Sequence, residues 1–105
     1  MSRPAILAPA ARADLRQAVS RIARDNPPAA QRLRDVLATA LRRLGTNPAL
    51  GAPRPALTDT RYRFLALRGF PYLLVYTADT APLRVLRVLH MAHDIPMLLA
   101  NPEQP

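Results

Sequence analysis

The sequence predicts an α+β fold of two layers, in which a hairpin of two helices packs on one face of a small antiparallel sheet. Two observations lead to this prediction. Hydrophobic residues alternate with a period of two in the second half of the chain, and they follow helical periodicity in the first half. The predicted order of elements is β-α-α-β-β-β with a short C-terminal helix. The whole chain, residues 1–105, is predicted to form one domain.

The segment from Arg61 to His93 is predicted to form three consecutive strands. Alternate side chains of a strand point to opposite faces, so a period of two indicates strands that are buried on one face. The alternating positions are Tyr62, Phe64 and Ala66, then Tyr72, Leu74 and Tyr76, then Leu83, Val85 and Leu89. Short connections at Gly69 and at residues 78–81 predict antiparallel hairpins. We therefore expect the sheet face away from the helices to be partly exposed and available for binding.

Two amphipathic helices are predicted before this segment. The first covers Ala10 to Asp25 and ends at Asn26, because a residue that precedes proline disfavours the helical conformation. Pro28 is predicted to begin the second helix, and Gly45 to cap its C-terminus. The predicted buried positions are Ala11, Leu15, Ala18, Val19 and Ile22 on the first helix, and Leu33, Val36, Leu37, Ala40, Leu41 and Leu44 on the second.

The remaining segments are shorter or less regular. Pro4 to Ala8 is predicted to be an edge strand, since proline lacks the N–H that an inner strand needs. The proline-rich segment from Thr46 to Asp59 is predicted to be a surface loop, either ordered or a mobile binding loop. Asp94 is predicted to cap a short helix that ends at Leu99, and residues 101–105 are expected to fray.

The chain is strongly basic, because all 15 of its basic residues are arginine and its formal net charge is +8. A charge of this sign favours an acidic partner, which is nucleic acid, an anionic surface or an acidic protein. There is no cysteine, which excludes disulfides and a cysteine nucleophile. The N-terminus predicts no secretory signal, and no apolar run reaches the length of a transmembrane helix. We therefore expect a soluble, cytoplasmic protein with no membrane partner.

Two histidines, His90 and His93, lie three residues apart at the end of the last predicted strand. Histidine titrates near neutral pH, so the two side chains could act as a general acid–base pair. As a metal site, two histidines are a poor ligand set, and no metal or cofactor is predicted. The alternative is structural, with His90 hydrogen-bonded at the strand end and His93 joining Asp94 in capping the last helix.

Arginines also follow the predicted strands, and four of them are candidates for a binding surface: Arg61, Arg63, Arg84 and Arg87. By alternation, Arg61 and Arg63 share the face opposite Phe64. Arg84 and Arg87 point to opposite faces of their strand unless a β-bulge lies between them. An arginine-rich face can hold phosphates or the acidic residues of a partner, or it can keep the sheet soluble.

Three stretches of the chain form a recognisable set: ARADL (residues 11–15), GFPYLLVY (residues 69–76) and VLHMAHDIPMLL (residues 88–99). Together they resemble the RelE/ParE superfamily of toxins from type II toxin–antitoxin modules, and specifically its ParE-like branch. The resemblance extends from Pro4 to Leu99. It implies the two-layer fold of that superfamily and a small basic toxin, which an acidic antitoxin encoded beside it holds inactive. ParE-like toxins act on DNA gyrase, whereas RelE-like relatives cut messenger RNA on the ribosome.

The resemblance also implies which of these two activities to expect. RelE-like relatives commonly carry an arginine after the tyrosine that opens the third strand, and a tyrosine near the C-terminus. Here Leu73 follows Tyr72, and no tyrosine lies beyond Tyr76. The chain is therefore predicted to be a gyrase inhibitor that acts by protein binding and not by catalysis. We expect it to contact operator DNA only through its complex with the antitoxin.

The predicted target contacts of such an inhibitor are Arg61, Arg63, Arg84, Arg87 and His93. One alternative function is that of a ribosome-dependent mRNA endonuclease. In that case the candidate catalytic residues are Arg61, His90 and His93, since they supply positive charge and groups that titrate near neutral pH. A further alternative is a stand-alone basic nucleic-acid-binding module or a toxin homologue that has lost toxicity.

Overall fold

A computed structural model of the chain describes residues 3–95. Its elements are β1 (Ile6–Leu7), α1 (Pro9–Ala23), α2 (Pro27–Thr46), β2 (Ala52–Pro53), β3 (Arg63–Ala66), β4 (Tyr72–Thr77) and β5 (Arg84–His90). The strands form one sheet in the order β1-β5-β4-β3-β2. The two helices pack on it, which confirms the predicted α+β fold of two layers. The predicted C-terminal helix from Asp94 to Leu99 extends outside the described residues.

The three strands predicted from alternation form an antiparallel meander. Tyr72 of β4 lies opposite His90 of β5, and β4 pairs with β3 along its other side. The register changes once, because Val75 lies opposite Arg87 whereas the adjacent Tyr76 lies opposite Val85. The extra residue of β5 at this β-bulge is therefore Leu86.

The sheet is mixed, so the prediction of an antiparallel sheet is wrong at one edge. Strand β1 is parallel to β5, with Ile6 opposite Arg84 and Leu7 opposite Val85. The prediction was based on hairpin connections, which apply to consecutive strands. Between β1 and the meander the chain passes through two helices, and a long connection of this kind allows parallel pairing.

The long proline-rich segment contains a short strand that was not predicted. Strand β2 consists of two residues and is antiparallel to β3, with Ala52 opposite Phe64 and Pro53 opposite Arg63. Pro53 is compatible with this position because β2 is an edge strand, where a missing N–H costs no inner hydrogen bond.

Both helices begin at prolines, whose fixed φ suits the first turn and whose missing N–H has no helical partner to lose. Each begins one residue before the predicted start, at Pro9 and at Pro27, and α1 ends at Ala23 rather than at the predicted Asp25. The side chain of Asn26 caps α2 by accepting a hydrogen bond from the Ala29 N–H at 3.1 Å. The prediction that Gly45 ends α2 is wrong, because the helix continues to Thr46. A side chain at Gly45 would collide with the carbonyl oxygen of Arg3, so this glycine permits the N-terminal segment to pass close to the helix. Neither helix within residues 3–95 has the length and apolar character needed to cross a bilayer.

The main core lies between the helices and the sheet. Its central side chains, which are fully or almost fully buried, are Ala11, Leu33, Leu44, Leu74, Tyr76, Val85 and Val88. Most of the predicted helix positions face this core. Five of them are half-buried rather than buried and pack against it: Leu15, Val19 and Ile22 on α1, and Val36 and Leu41 on α2.

The second face of the sheet carries a smaller hydrophobic cluster of Tyr62, Phe64, Leu73, Val75 and Leu89. Leu57, Leu86 and Ile95 pack against it. The prediction that this face is partly exposed is therefore wrong for β4, of which Tyr72 to Tyr76 are buried on both faces. The physical reason is that the proline-rich loop and the segment after β5 supply the covering side chains, which strand alternation cannot show.

Candidate functional site

Arg87 is buried, with 8% of its surface exposed, although it was a predicted target contact. Its Nε donates to Asp14 Oδ2 at 2.7 Å, and its Nη2 donates to Asp14 Oδ1 at 2.9 Å. The same carboxylate accepts the backbone N–H of Val88 at 3.0 Å. The hydrogen bonds to Asp14 raise the pKa of Arg87, so the guanidinium stays charged inside the protein. The side chain of Arg87 therefore ties α1 to β5.

The position of Asp14 follows from the chain path. Helix α1 begins two residues after Leu7, where β1 ends, and it passes along the side of β5. At Val88, the Asp14 carboxylate and not a neighbouring strand accepts the backbone N–H of β5. We call this arrangement of Asp14, Arg87 and Val88 the closed edge. Asp14 was not among the predicted site residues. The available signal was that it is the one acidic residue in a helix otherwise charged with arginines.

The bulge at Leu86 determines that the two arginines of β5 lie on the same face of the sheet. Arg84 and Arg87 lie opposite Thr77 and Val75, which are two residues apart and therefore share a face. Their surroundings nevertheless differ, because Arg84 is exposed whereas Arg87 is bound to the carboxylate of α1.

The other two candidate arginines also contact the protein itself. Arg63 Nη1 donates to the carbonyl oxygen of Gly51 at 2.7 Å, so this half-buried side chain holds the loop beside β3. Arg61 is exposed, but its Nη2 donates to the Tyr62 hydroxyl at 2.7 Å and its guanidinium lies 4.7 Å from the centre of that ring. The structure therefore does not bring the four arginines together on one exposed face.

The loop beside β3 is further held by Tyr76, whose hydroxyl donates to the carbonyl oxygen of Pro48 at 2.8 Å and accepts the N–H of Gly51 at 2.7 Å. Burial raises the pKa of the Tyr76 hydroxyl. This part of the proline-rich segment is therefore ordered, as one of the two sequence interpretations proposed.

His90 is hydrogen-bonded at the end of β5, a contact that the structural interpretation of this residue predicted. Its Nδ1 accepts the N–H of Ala92 at 3.1 Å, and its backbone N–H donates to Asp94 Oδ2 at 2.8 Å. Its ring lies 4.3 Å from the ring of His93 between centres, and it meets the edge of Tyr72 at 5.2 Å. Burial lowers the pKa of His90, and the nearby His93 lowers it further. His93 itself is exposed.

The candidate catalytic residues of the endonuclease alternative do not converge. His90 lies opposite Tyr72, at the first residue of β4, whereas Arg63 lies opposite Tyr76, near the last. Four strand residues separate these positions by roughly 13 Å. Arg61 precedes β3 in the chain, at the Arg63 end of that strand. Leu73, which stands where the resemblance implies an arginine, is buried in the second cluster. The two histidines therefore have no candidate arginine from this set beside them. In addition to burial and His93, Arg21 of α1 is near enough to lower the pKa of His90.

Metal ligands do not cluster either. Within residues 3–95, no three His, Cys, Asp or Glu side chains come together as they would around a metal ion.

A groove of about 290 Å³ lies between α2 and the end of β3. Its apolar lining comes mainly from Val36 and Ala40 of α2 and from Leu65, Ala66 and Leu67 on the sheet side. Arg43, Arg68, Asp35 and Thr39 add a polar lining with two positive charges and one negative charge.

The backbone of β3 is available next to this groove. Strand β2 pairs with β3 only at Arg63 and Phe64, and no other strand of the described residues covers Leu65 and Ala66 on that side. We call Leu65 and Ala66 the open edge. An unpaired strand edge beside an apolar groove is a site where a further peptide segment can add.

Comparison with known proteins agrees with this fold. The family model for the ParE toxin of the type II toxin–antitoxin system parDE matches residues 5–95. Among solved structures, the chain is similar to one described as the chromosomal ParDE TA system from P. aeruginosa, with a TM-score of 0.70 and 19% sequence identity. The alignment covers 85% of this chain and 96% of that one. A search of curated protein sequences gave no match.

The family match spans the meander, the helical hairpin and both edges of the sheet, and it agrees with the resemblance carried by residues 69–76 and 88–95. The chain therefore belongs to the ParE toxin family of type II toxin–antitoxin systems.

Proposed function

We propose that this toxin inhibits DNA gyrase by binding it as a protein ligand, without catalysing a bond cleavage of its own. The observation that carries the proposal is its membership of the ParE family, together with the separation of the candidate catalytic residues. Cleavage of RNA needs a base, an acid and a positive charge around one phosphate. In support of the proposal, His90 lies opposite the first residue of β4, whereas Arg61 precedes β3 at the end of that strand where Arg63 pairs with Tyr76.

The proposed gyrase contacts are the exposed members of the predicted set, Arg61, Arg84 and His93. Arg84 lies on β5 beside the exposed Ile6 of β1, so a positive charge and an apolar side chain are adjacent at this point. Interfaces commonly combine an arginine with apolar contacts in this way. Arg63 and Arg87 support the site from inside the fold and are not proposed to leave their partners.

A supercoiling assay tests this proposal. The purified chain, added to gyrase with relaxed plasmid, is expected to inhibit supercoiling and to increase the amount of cleaved DNA. Arg84→Glu should weaken inhibition by about tenfold, because it reverses a charge at the proposed interface. The matched control is Arg32→Glu, the same charge change at an exposed position of α2, which should retain inhibition.

Two results would contradict the proposal. One is full gyrase activity in the presence of a large excess of the folded toxin. The other is cleavage of ribosome-bound messenger RNA by the purified chain, which would support the endonuclease alternative.

We further propose that a cognate antitoxin binds at the open edge and in the adjoining groove. An extended segment can pair with Leu65 and Ala66, while apolar side chains next to it enter the groove between α2 and β3. The antitoxin is expected to be acidic, because Arg43 and Arg68 line the groove and the toxin has a net charge of +8. Operator DNA is proposed to be recognised by the antitoxin within this complex.

Co-expression tests the antitoxin proposal. The chain expressed alone should arrest growth, and expression together with the neighbouring small gene should restore growth and yield a complex that co-purifies. If the neighbouring gene encodes no protein that binds the chain, the proposed partner is wrong.

A further inference from the structure

The outer face of α1 carries a row of positive charge that the proposed function does not use. Arg12, Arg16, Ser20 and Arg24 are exposed and four residues apart, so they follow one another along the helix at intervals of about 6 Å. Around this row the surface forms a concave region of about 420 Å³. It is lined by Arg16, Gln17, Ser20, Arg21 and Arg24.

This charge is not neutralised within the described part of the protein. The one acidic residue of α1, Asp14, is bound to Arg87 and Val88 at the closed edge. Arg16, Arg21 and Arg24 form no ion pair or hydrogen bond with another side chain of residues 3–95. The closed edge therefore has an electrostatic consequence, since it removes the single counter-charge that α1 contains.

The residue types on this face favour a phosphate ligand over a protein surface. Arginine, serine and glutamine are donors that bind the phosphate oxygens of nucleic acids. A protein interface usually has an apolar centre. The exposed large hydrophobic residues of the described chain are Ile6 and Met91, and neither is on α1.

We propose that the outer face of α1 binds the phosphodiester backbone of nucleic acid. Arg16, Arg21 and Arg24 would pair with phosphate oxygens, which the planar guanidinium can hold through two hydrogen bonds. Ser20 and Gln17 would donate further hydrogen bonds to the same phosphate backbone. Because these groups contact phosphates and not bases, the binding is independent of sequence and falls steeply with salt. It is distinct from the recognition of an operator, which is proposed to depend on the antitoxin.

Fluorescence anisotropy with the full chain and a short labelled DNA duplex of arbitrary sequence tests this inference. In the double variant Arg16→Gln/Arg24→Gln, the affinity should fall by roughly five- to tenfold. The slope of log K against log salt should become shallower by about 2, one unit for each lost phosphate contact. Arg16→Lys/Arg24→Lys should retain most of the affinity, since it keeps the charge.

The matched control is Arg32→Gln/Arg34→Gln, which removes the same charge from exposed positions on α2. Its affinity should change by less than about twofold, and its salt slope should stay close to that of the parent chain. Circular dichroism should show the same helix content for all variants, because the four positions are exposed. Equal losses in both glutamine variants would overturn the inference, since net charge alone would then explain the binding.

Two further ligands test the specificity of this face. RNA distinguishes between the two kinds of nucleic acid, and polyglutamate distinguishes phosphodiesters from other acidic polymers. Labelled single-stranded RNA is measured in parallel with the duplex, and binding that depends on Arg16 and Arg24 identifies which nucleic acid is held at this face. Polyglutamate is used as a competitor of equal charge. If polyglutamate displaces the duplex as well as unlabelled DNA does, the face binds acidic polymers in general, and the assignment to phosphodiesters is wrong.

Discussion

A two-residue strand covers part of each edge of the sheet, but the remainder of the two edges differs. On each side a strand of two residues pairs with the meander, β1 with β5 and β2 with β3. Beyond β1 the closed edge follows, where Asp14 accepts the backbone N–H of Val88 and binds Arg87. Beyond β2 the open edge follows, where Leu65 and Ala66 border a groove.

This difference separates an edge that the chain closes with its own side chains from an edge at which we propose that a partner binds. At the closed edge, a buried ion pair and a backbone hydrogen bond hold α1 against β5, so a partner strand has no vacant donor at Val88. At the open edge, the chain offers a backbone and an apolar groove next to each other. Four predictions test this comparison, and the expected effect decreases from the first to the last.

The largest effect is expected at the closed edge. Asp14→Ala should lower the free energy of unfolding by about 4 kcal/mol, because it removes the carboxylate from buried Arg87 and from the Val88 N–H. Urea denaturation followed by circular dichroism measures this change. The control is Asp35→Ala, an exposed carboxylate that accepts a hydrogen bond from Gln31 and should change stability by less than about 0.5 kcal/mol. A loss below about 1 kcal/mol for Asp14→Ala would show that the closed edge is not a main source of stability.

The second prediction concerns the open edge. Ala66→Glu should weaken antitoxin binding by about 100-fold, or about 3 kcal/mol, because it places bulk and negative charge in a groove proposed for an acidic segment. Isothermal titration calorimetry with the purified antitoxin measures the affinity. Ala38→Glu makes the same change at an exposed position of α2 that does not line the groove. If both variants bind the antitoxin equally well, the antitoxin binds elsewhere.

The third prediction concerns the loop that carries β2. Tyr76→Phe should lower the free energy of unfolding by about 2 kcal/mol, because the Gly51 N–H and the Pro48 carbonyl lose their buried partner. Thermal and urea denaturation measure the loss. Tyr72→Phe is the matched control, since the Tyr72 hydroxyl forms no hydrogen bond with a described residue. Equal losses in the two variants would mean that the Tyr76 hydroxyl does not hold the loop.

The smallest effect is expected at His90, where β5 ends. Burial lowers the pKa of His90 in the folded protein, so the unfolded chain binds a proton more readily as the pH falls. The stability contributed by neutral His90 is therefore present above the unfolded pKa of about 6.5 and is lost as the pH falls through the folded value. The effect is small because His90 is partly exposed and solvent screens its charge.

The variant His90→Asn tests this pH dependence, because an amide oxygen can still accept the Ala92 N–H but does not titrate. Its urea midpoint should change less than that of the parent between about pH 7.5 and pH 5. His93→Asn should retain most of the dependence. If stability depends on pH in His90→Asn as it does in the parent chain, groups other than His90 cause that dependence.

The elements of the fold were largely predictable, and their pairing was less so. Helical periodicity and the prolines at residues 27 and 28 located both helices, because local backbone preferences decide where a helix begins. The same rules misplaced the end of α2. Gly45 resembles a helix cap in sequence, whereas in the structure its lack of a side chain permits contact with Arg3.

The candidate site was predictable in composition but not in geometry. The sequence singled out arginines and histidines of the meander as candidates, but Arg87 is buried and Arg63 is bound to Gly51. The partner of Arg87, Asp14, is 73 residues away in the chain. A contact between residues so distant in sequence leaves no periodic signal, so local patterns could not predict it.

The sequence by itself determined the fold class, the strongly basic charge and the resemblance to ParE-like toxins, because these depend on residue type and short-range spacing. The tertiary structure decided which edge of the sheet is closed, which arginines reach solvent, and that the second face is covered by Leu57 and Ile95. The physical reason is that burial and charge pairing depend on which distant segments meet. That is a property of the packed chain and not of any one stretch of it.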